Sequence, residues 1–210
     1  FRHYGAADDR LFISHLCASV QQFKTEMPLE ERRYDLMFSG QLVKLKNIPF
    51  FLELLEYLMS VRPQTTVLIL GDGPLRDQVE NIRKKYPKNI FYPGFIQPKH
   101  LSHYYVEAKV FVFPTLGDSW GVVINEACIA GMAIVTSDLT AAAGELVVHE
   151  KNGYVLSRFH ILDWAEAILS LLDNPDLLRK MSEASKSLVK PYNYQNASQG
   201  ILNAVQRVYS

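Results

Sequence analysis

This chain has little cysteine, no excess of either charge and no long apolar run. Only two of its 210 residues are cysteine, Cys17 and Cys128, and no CxxC or Cys/His ligand spacing accompanies them. That is too few for a disulfide framework and the wrong spacing for a zinc site. Lys plus Arg total 22 and Asp plus Glu total 22, so the formal net charge is zero. Nucleic-acid binding driven by overall charge is thereby excluded, although a local basic patch can still serve a phosphate. No stretch approaches the roughly 20 apolar residues of a membrane span, none reads as a signal peptide, and there is neither an internal repeat nor a low-complexity segment. We expect a cytoplasmic protein. The chain begins at Phe1 rather than Met, which we read as the mark of a fragment whose upstream part has been cut away.

What remains is an ordinary globular composition, 48% hydrophobic and 21% charged, in a length that suits one α/β domain with terminal extensions. Residues 1–35 are weakly periodic and read as a lead-in and linker. From there, short apolar runs at 36–39, 66–70, 90–92, 110–113 and 133–136 predict buried strands, with a shorter one at 154–156. Amphipathic segments at 49–61, 75–85, 98–107 and 122–130 predict the intervening helices, and three more follow at about 161–173, 176–189 and 196–208. Strands alternating with helices imply βαβ units. The fold class is therefore α/β, a Rossmann-like parallel sheet flanked by helices on both faces. Residues 36–190 form the expected core domain and residues 191–210 a terminal helical segment.

In such sheets, ligands bind beyond the carboxyl ends of the strands. The loops that matter are then 40–46, 71–73, 94–96, 114–121 and 137–145, where glycines, lysines and carboxylates gather. The most informative stretch is Pro114-Thr115-Leu116-Gly117-Asp118-Ser119-Trp120-Gly121-Val122, which leads into a nearly all-apolar helix carrying Glu126. A helix start after Gly121 presents unpaired N–H groups and a positive dipole end, suited to a phosphate. Lys44 and Lys46, on another loop at the same edge, can add charge to that anion; the alternative is that both are solvated loop residues. Carboxylates repel a phosphate but accept paired hydrogen bonds from vicinal hydroxyls, the chemistry open to Asp118 and Glu126. The alternative for Glu126 is a structural tie to a buried Arg or Lys. Helix start, flanking acids and nearby lysine together describe a nucleoside diphosphate sugar. The Gly71-Asp72-Gly73-Pro74-Leu75-Arg76 run matches a dinucleotide-binding loop poorly and reads as a tight turn with Pro74 at a helix start. His100 and His103 lack further ligands and read as helix surface; Phe91, Tyr92, Phe113 and Trp120 read mostly as core, while Phe95 is placed to flank a base.

The chain resembles the C-terminal, donor-binding domain of the retaining GT-B glycosyltransferases of the family 4-like group, "glycosyl transferases group 1", along nearly its whole length. The carriers are Phe38-Ser39-Gly40-Gln41-Leu42 with Lys46, Leu68-Ile69-Leu70-Gly71-Asp72-Gly73-Pro74-Leu75 and Phe91-Tyr92-Pro93-Gly94-Phe95-Ile96. The series continues with Val112-Phe113-Pro114 through Ala127, Gly131-Met132-Ala133-Ile134-Val135, Gly144-Glu145 and Asn152-Gly153.

That resemblance implies transfer of a sugar from a nucleotide diphosphate sugar to an acceptor hydroxyl with retention of configuration, in cell-envelope polysaccharide assembly. By it, Asp118 contacts the donor sugar, Glu126 holds the ribose, and the backbone of Ser119, Trp120, Gly121 and Val122 takes the diphosphate. The backbone around Phe95 and Ile96 reads the base. Gly40, Gln41, Lys44 and Lys46 line the opposite loop, with Lys46 and Asp118 as the catalytic residues. Gln41 stands where the family usually has an Arg, Asp118 where it usually has Glu, and Lys44 is the candidate substitute for the missing charge. No metal or other cofactor is expected. The acceptor, a glycan or lipid-linked glycan, would be met through an absent N-terminal domain, as would peripheral contact with the inner face of a membrane. The terminal helix, with Ile201, Leu202, Val205 and Val208, would cross toward that domain, so the fragment alone is expected to be inactive. Other readings stay open: a non-catalytic nucleotide-sugar-binding module, another GT-B enzyme such as a sugar-nucleotide epimerase or a phosphorylase and, last, a nicotinamide-dependent dehydrogenase.

Overall fold

The computed structural model describes residues 2–20, 23, 26–157 and 159–209. The expected terminal segments thus include residues 1, 21, 22, 24, 25 and 210, which lie outside the described residues. Six strands, β1 (Tyr34–Ser39), β2 (Val67–Leu70), β3 (Ile90–Gly94), β4 (Ala108–Phe113), β5 (Ala133–Ser137) and β6 (Gly153–Leu156), form one sheet in the order β3-β2-β1-β4-β5-β6. Every pairing is parallel. The helices are α1 (Ile48–Val61), α2 (Arg76–Lys85), α3 (Pro98–Tyr105), α4 (Val122–Ile129), α5 (Ile161–Leu172), α6 (Pro175–Leu188) and α7 (Tyr194–Tyr209). α1 packs with α2 and α5, whereas α4 packs with α3 and α6.

Each expected strand and helix is present, with ends displaced by one or two residues. Pro74 does not start α2: Leu75 is its N-cap, and Pro74 lies in the preceding turn. The central strands are apolar on both faces because both faces are covered, and all residues of β1, β2 and β5 are buried. Full burial of a Leu, Val or Phe contributes roughly 1.5–3 kcal/mol, so the sheet centre carries much of the stability of the fold. β3 is an edge strand and alternates, which turns Phe91 outward, 41% exposed beside Arg33, rather than into the core as expected.

Gly71 shows why the glycine-rich turn after β2 exists. Its φ is +135°, and a Cβ there would sit 1.8 Å from the Gly40 carbonyl oxygen. The turn is pressed onto the loop after β1, with Gly40 donating to Leu70 O, Leu42 to Asp72 O and Leu75 to Leu42 O at 2.9–3.1 Å. It is a backbone-to-backbone joint.

The lead-in is mostly exposed but is fastened at Arg32. That guanidinium donates to the carbonyls of Ala108 (2.7 Å), Ala130 (2.8 Å) and Gly131 (3.1 Å). Burial lowers its pKa to about 10, against the opposing pull of Glu26 and Glu30. At the other terminus α7 lies on the lead-in, with Ser14 Oγ donating to Ala197 O (2.9 Å) and Arg207 paired to Asp9 (2.7 Å). Ile201, Leu202, Val205 and Val208 of α7 are exposed.

Candidate functional site

Strand order runs outward to β3 on one side of β1 and outward to β6 on the other side of β4. The reversal falls between β1 and β4, and the loops that leave their carboxyl ends must part there, which opens a crevice. These two loops are joined at its floor: Leu116 N donates to Leu45 O (2.8 Å), and the Thr115 hydroxyl reaches Leu45 O (3.0 Å). The loop after β5 closes the third side. Asp118 N donates to Leu139 O, Ala141 N to Asp118 O (both 3.1 Å), and the Thr140 hydroxyl to Trp120 O (2.8 Å).

Lys46 closes a short 3-10 turn, Lys44–Lys46, and its ammonium lies 5.0 Å from the centroid of the Phe113 ring. There it forms an ion pair with Asp118 Oδ2, the two side chains being 15% and 19% exposed. Asp118 Oδ1 accepts from Trp120 N (3.0 Å). Burial alone would raise the Asp118 pKa, but the hydrogen bonds from Lys46 and the Trp120 backbone, with the Lys46 charge, outweigh it and hold the carboxyl below the usual range. Each of these residues was legible in the sequence, but their pairing was not. Lys44, at the head of the same turn, is exposed, as is Gln41.

Gly121 occupies the left-handed region (φ +81°, ψ +64°) and is the N-cap of α4, with no side chain capping the helix. That conformation favours glycine and turns the chain sharply from loop into helix. Ile124 N already donates to Gly121 O (2.7 Å), but no side chain caps the Val122 and Val123 N–H groups ahead of it, which can meet an anion. Trp120 is buried behind them: its indole N–H donates to Asn125 Oδ1 (2.7 Å), and its ring packs on Tyr192 at 5.5 Å. Tyr192 in turn meets His15 at 4.6 Å, and Asn125 Nδ2 donates to Leu16 O (3.3 Å). The loop is thus braced by both terminal segments, a role for His15, Asn125, Thr140 and Tyr192 that the sequence reading did not assign.

Glu126 stands one turn beyond Val122, half-buried. Its Oε2 is buried and accepts no hydrogen bond, so the expected alternative of a structural tie to a buried arginine or lysine is not made at that oxygen. Burial raises its pKa, opposed by the nearby Tyr105 hydroxyl. Tyr105, the last residue of α3, is fully buried, and its Oη also lacks a hydrogen-bond partner. The hydroxyl lies near enough to stabilise the carboxylate, yet no bond of full geometry joins the two groups. Tyr105 escaped the sequence reading because only the packing of α3 on α4 brings it to Glu126.

Farther along the strand ends, Phe95 is 66% exposed after β3, and Ile96 packs partly on the core. Ser119 and Val122 are exposed at the crevice mouth. Cys128 is fully buried and its thiol is pushed up to about 12 by burial, as befits a core residue. Asn152 is structural: its buried amide donates to Leu146 O (3.0 Å) and Ser185 Oγ (3.2 Å). His103 pairs with Glu107, and among the described residues no three His, Cys, Asp or Glu gather as a metal cluster. Among the described residues no helix is long and apolar enough to cross a membrane.

With this geometry in view, known proteins give consistent matches. The chain is 27% identical over 186 residues to the alpha-galactosylglucosyldiacylglycerol synthase of Streptococcus pneumoniae, covering 86% of this chain and 47% of that protein. It spans about half the length, or less, of the curated relatives it matches. The structure superposes on the Anabaena protein HepE in complex with UDP and glucose, with a TM-score of 0.77 at 15% identity, over 90% of this chain and 55% of that one. It also superposes on the C-terminal domain of a group 1 glycosyl transferase (LpcC) of Francisella tularensis, with a TM-score of 0.66 at 21% identity, over 88% of this chain and 96% of that one. Both likenesses establish the fold, that of GT-B glycosyltransferases. The sequence model "Glycosyl transferases group 1" matches residues 19–188, and with most of its length so matched this chain belongs to that glycosyltransferase family.

Proposed function

We propose that the chain is the donor-binding half of a retaining glycosyltransferase and holds a nucleoside diphosphate sugar in the β1–β4 crevice. The observation that carries this reading is the meeting of Lys46, Asp118 and the uncapped start of α4 at the strand-order reversal, with Glu126 one turn deeper. In this reading the N–H groups at Ser119 and Val122, joined by those of Trp120 and Gly121 when Asp118 releases them, take the diphosphate, and Glu126 accepts from the ribose diol. Phe95 and Ile96 flank the base, while Gly40, Gln41 and Lys44 border the opposite wall. The diphosphate competes with Asp118 for Lys46. Lys46 then turns to the phosphate oxygens, and Asp118 is released to accept from the hydroxyls of the sugar.

Transfer breaks the bond from the anomeric carbon to the β-phosphate oxygen and forms one from that carbon to the acceptor oxygen on the same face. The acceptor's proton passes to the departing diphosphate. Lys46 and the helix start supply the positive charge that this departure needs, the role that electrostatic stabilisation most often fills, so the reaction as proposed uses no metal. The near-complete match to an isolated C-terminal domain supports the half-protein reading. A preceding half would bring the acceptor, a glycan or a lipid-linked glycan, and any contact with the cytoplasmic face of a membrane. The chain alone would bind donor and transfer little.

A thermal-shift panel of UDP-, GDP-, ADP- and dTDP-sugars tests this. Stabilisation by one of them is expected, and stabilisation by none at millimolar concentration would overturn it. Two observations favour a second reading, a nucleotide-sugar-binding module without catalysis: Asp118 is engaged by Lys46, and Gln41 is neutral where the family usually has Arg. Donor hydrolysis and transfer, assayed in the protein with its preceding half, separate the two readings.

A further inference from the structure

Burying a polar atom without a partner is costly and uncommon in folded proteins. Among the described residues the side-chain atoms in that condition are Tyr105 Oη and Glu126 Oε2, and they belong to helices that pack on each other. The Tyr105 ring is fixed, stacked on Phe111 at 6.1 Å and edge-on to Phe23 at 5.8 Å. Its hydroxyl lies at the carboxyl end of β1, close to Ser39 as well as Glu126. Burial, then the Glu126 charge, push that hydroxyl well above the ordinary tyrosine range, so it stays a proton donor. A carboxylate has room for several donors on its two oxygens. Glu126 can hold one oxygen toward a ribose diol while the other accepts from a hydroxyl behind it.

Resting on the donor-site reading above, we propose that Tyr105 is a positioning residue for Glu126: its hydroxyl donates to the Glu126 carboxylate when that carboxylate turns to the ribose. In the free chain the two groups interact without a fully formed bond, and the bond is completed on binding, so its main effect falls on nucleotide affinity. Tyr105 therefore acts through Glu126 and does not itself touch the donor.

The test is calorimetric titration of UDP, GDP and ADP, each against its 2′-deoxy counterpart, into the chain and its Tyr105→Phe variant. The unsubstituted chain is expected to prefer the ribonucleotide about tenfold, the effect of one hydrogen bond to a charged group. Tyr105→Phe should weaken the ribonucleotide about as much, leave the deoxy form unchanged and so collapse the preference. Its Tm without nucleotide should be unchanged or higher. Equal weakening of both forms, an intact preference, or failure of the variant to fold would each overturn the role of Tyr105. Binding of no nucleotide by the unsubstituted chain would overturn the donor-site reading and this inference with it.

Discussion

Asp118 and Glu126 flank the same helix start, and the fold treats them in opposite ways. Asp118 sits on a loop stitched to two neighbouring loops, accepts from Lys46 and the Trp120 backbone, and has a depressed pKa. Glu126 sits on an apolar helix, has a buried oxygen with no partner, and has a raised pKa. The first is satisfied and must be released before it can serve a ligand. The second is unsatisfied and gains from any hydroxyl that reaches it. Two acids in one site thus differ in what binding does for them, and this difference orders the expected mutational effects.

Lys46→Ala breaks the comparison most severely, because it removes the partner of Asp118 and the charge at the diphosphate together. In a transfer assay turnover should fall on the order of 100-fold, the scale of losing one donor to developing charge. Asp118→Asn separates the two effects. It should lower transfer by roughly tenfold or more, yet tighten the bare nucleoside diphosphate severalfold, since Lys46 is freed.

Glu126→Gln should weaken the nucleotide about tenfold while raising the Tm of the free chain. The shift should be about 2–4 °C for each kcal/mol of relieved burial cost. Its size depends on pH. Glu126 has a raised folded pKa, so its cost is absent below the unfolded value near pH 4 and grows as pH rises. The gain in Tm should be full at pH 7 and vanish near pH 4. Asp118 behaves oppositely: its stabilisation is full above about pH 4 and is lost as pH falls through its depressed folded value. The smallest effect is expected of Lys44→Ala, about threefold on nucleotide affinity, since the side chain is exposed. No change in affinity or turnover there, with loss in Lys46→Ala, would mean that Lys44 does not compensate for Gln41.

The sheet was legible because its central strands are apolar on both faces and its turns carry Gly, Pro and Asn. Phe91 misled because an edge strand does not declare itself in one sequence. At the site, Gly121, Asp118 and Glu126 were visible as a spaced pattern, and the topology rule placed Lys46 near them. The Lys46–Asp118 pair was not visible, because it depends on Leu45 meeting Thr115 and Leu116 across 70 residues of chain. Tyr105 was invisible for the same reason: its burial is decided by helix packing, and nothing local marks it.

The opposite behaviour of the two acids is tested most directly by titrating one nucleoside diphosphate, UDP or whichever binds best, into the chain and its Asp118→Asn and Glu126→Gln variants by calorimetry. The expected result is a tighter Kd for Asp118→Asn and a weaker one for Glu126→Gln. Weakening of both alike, or no change in either, would contradict it.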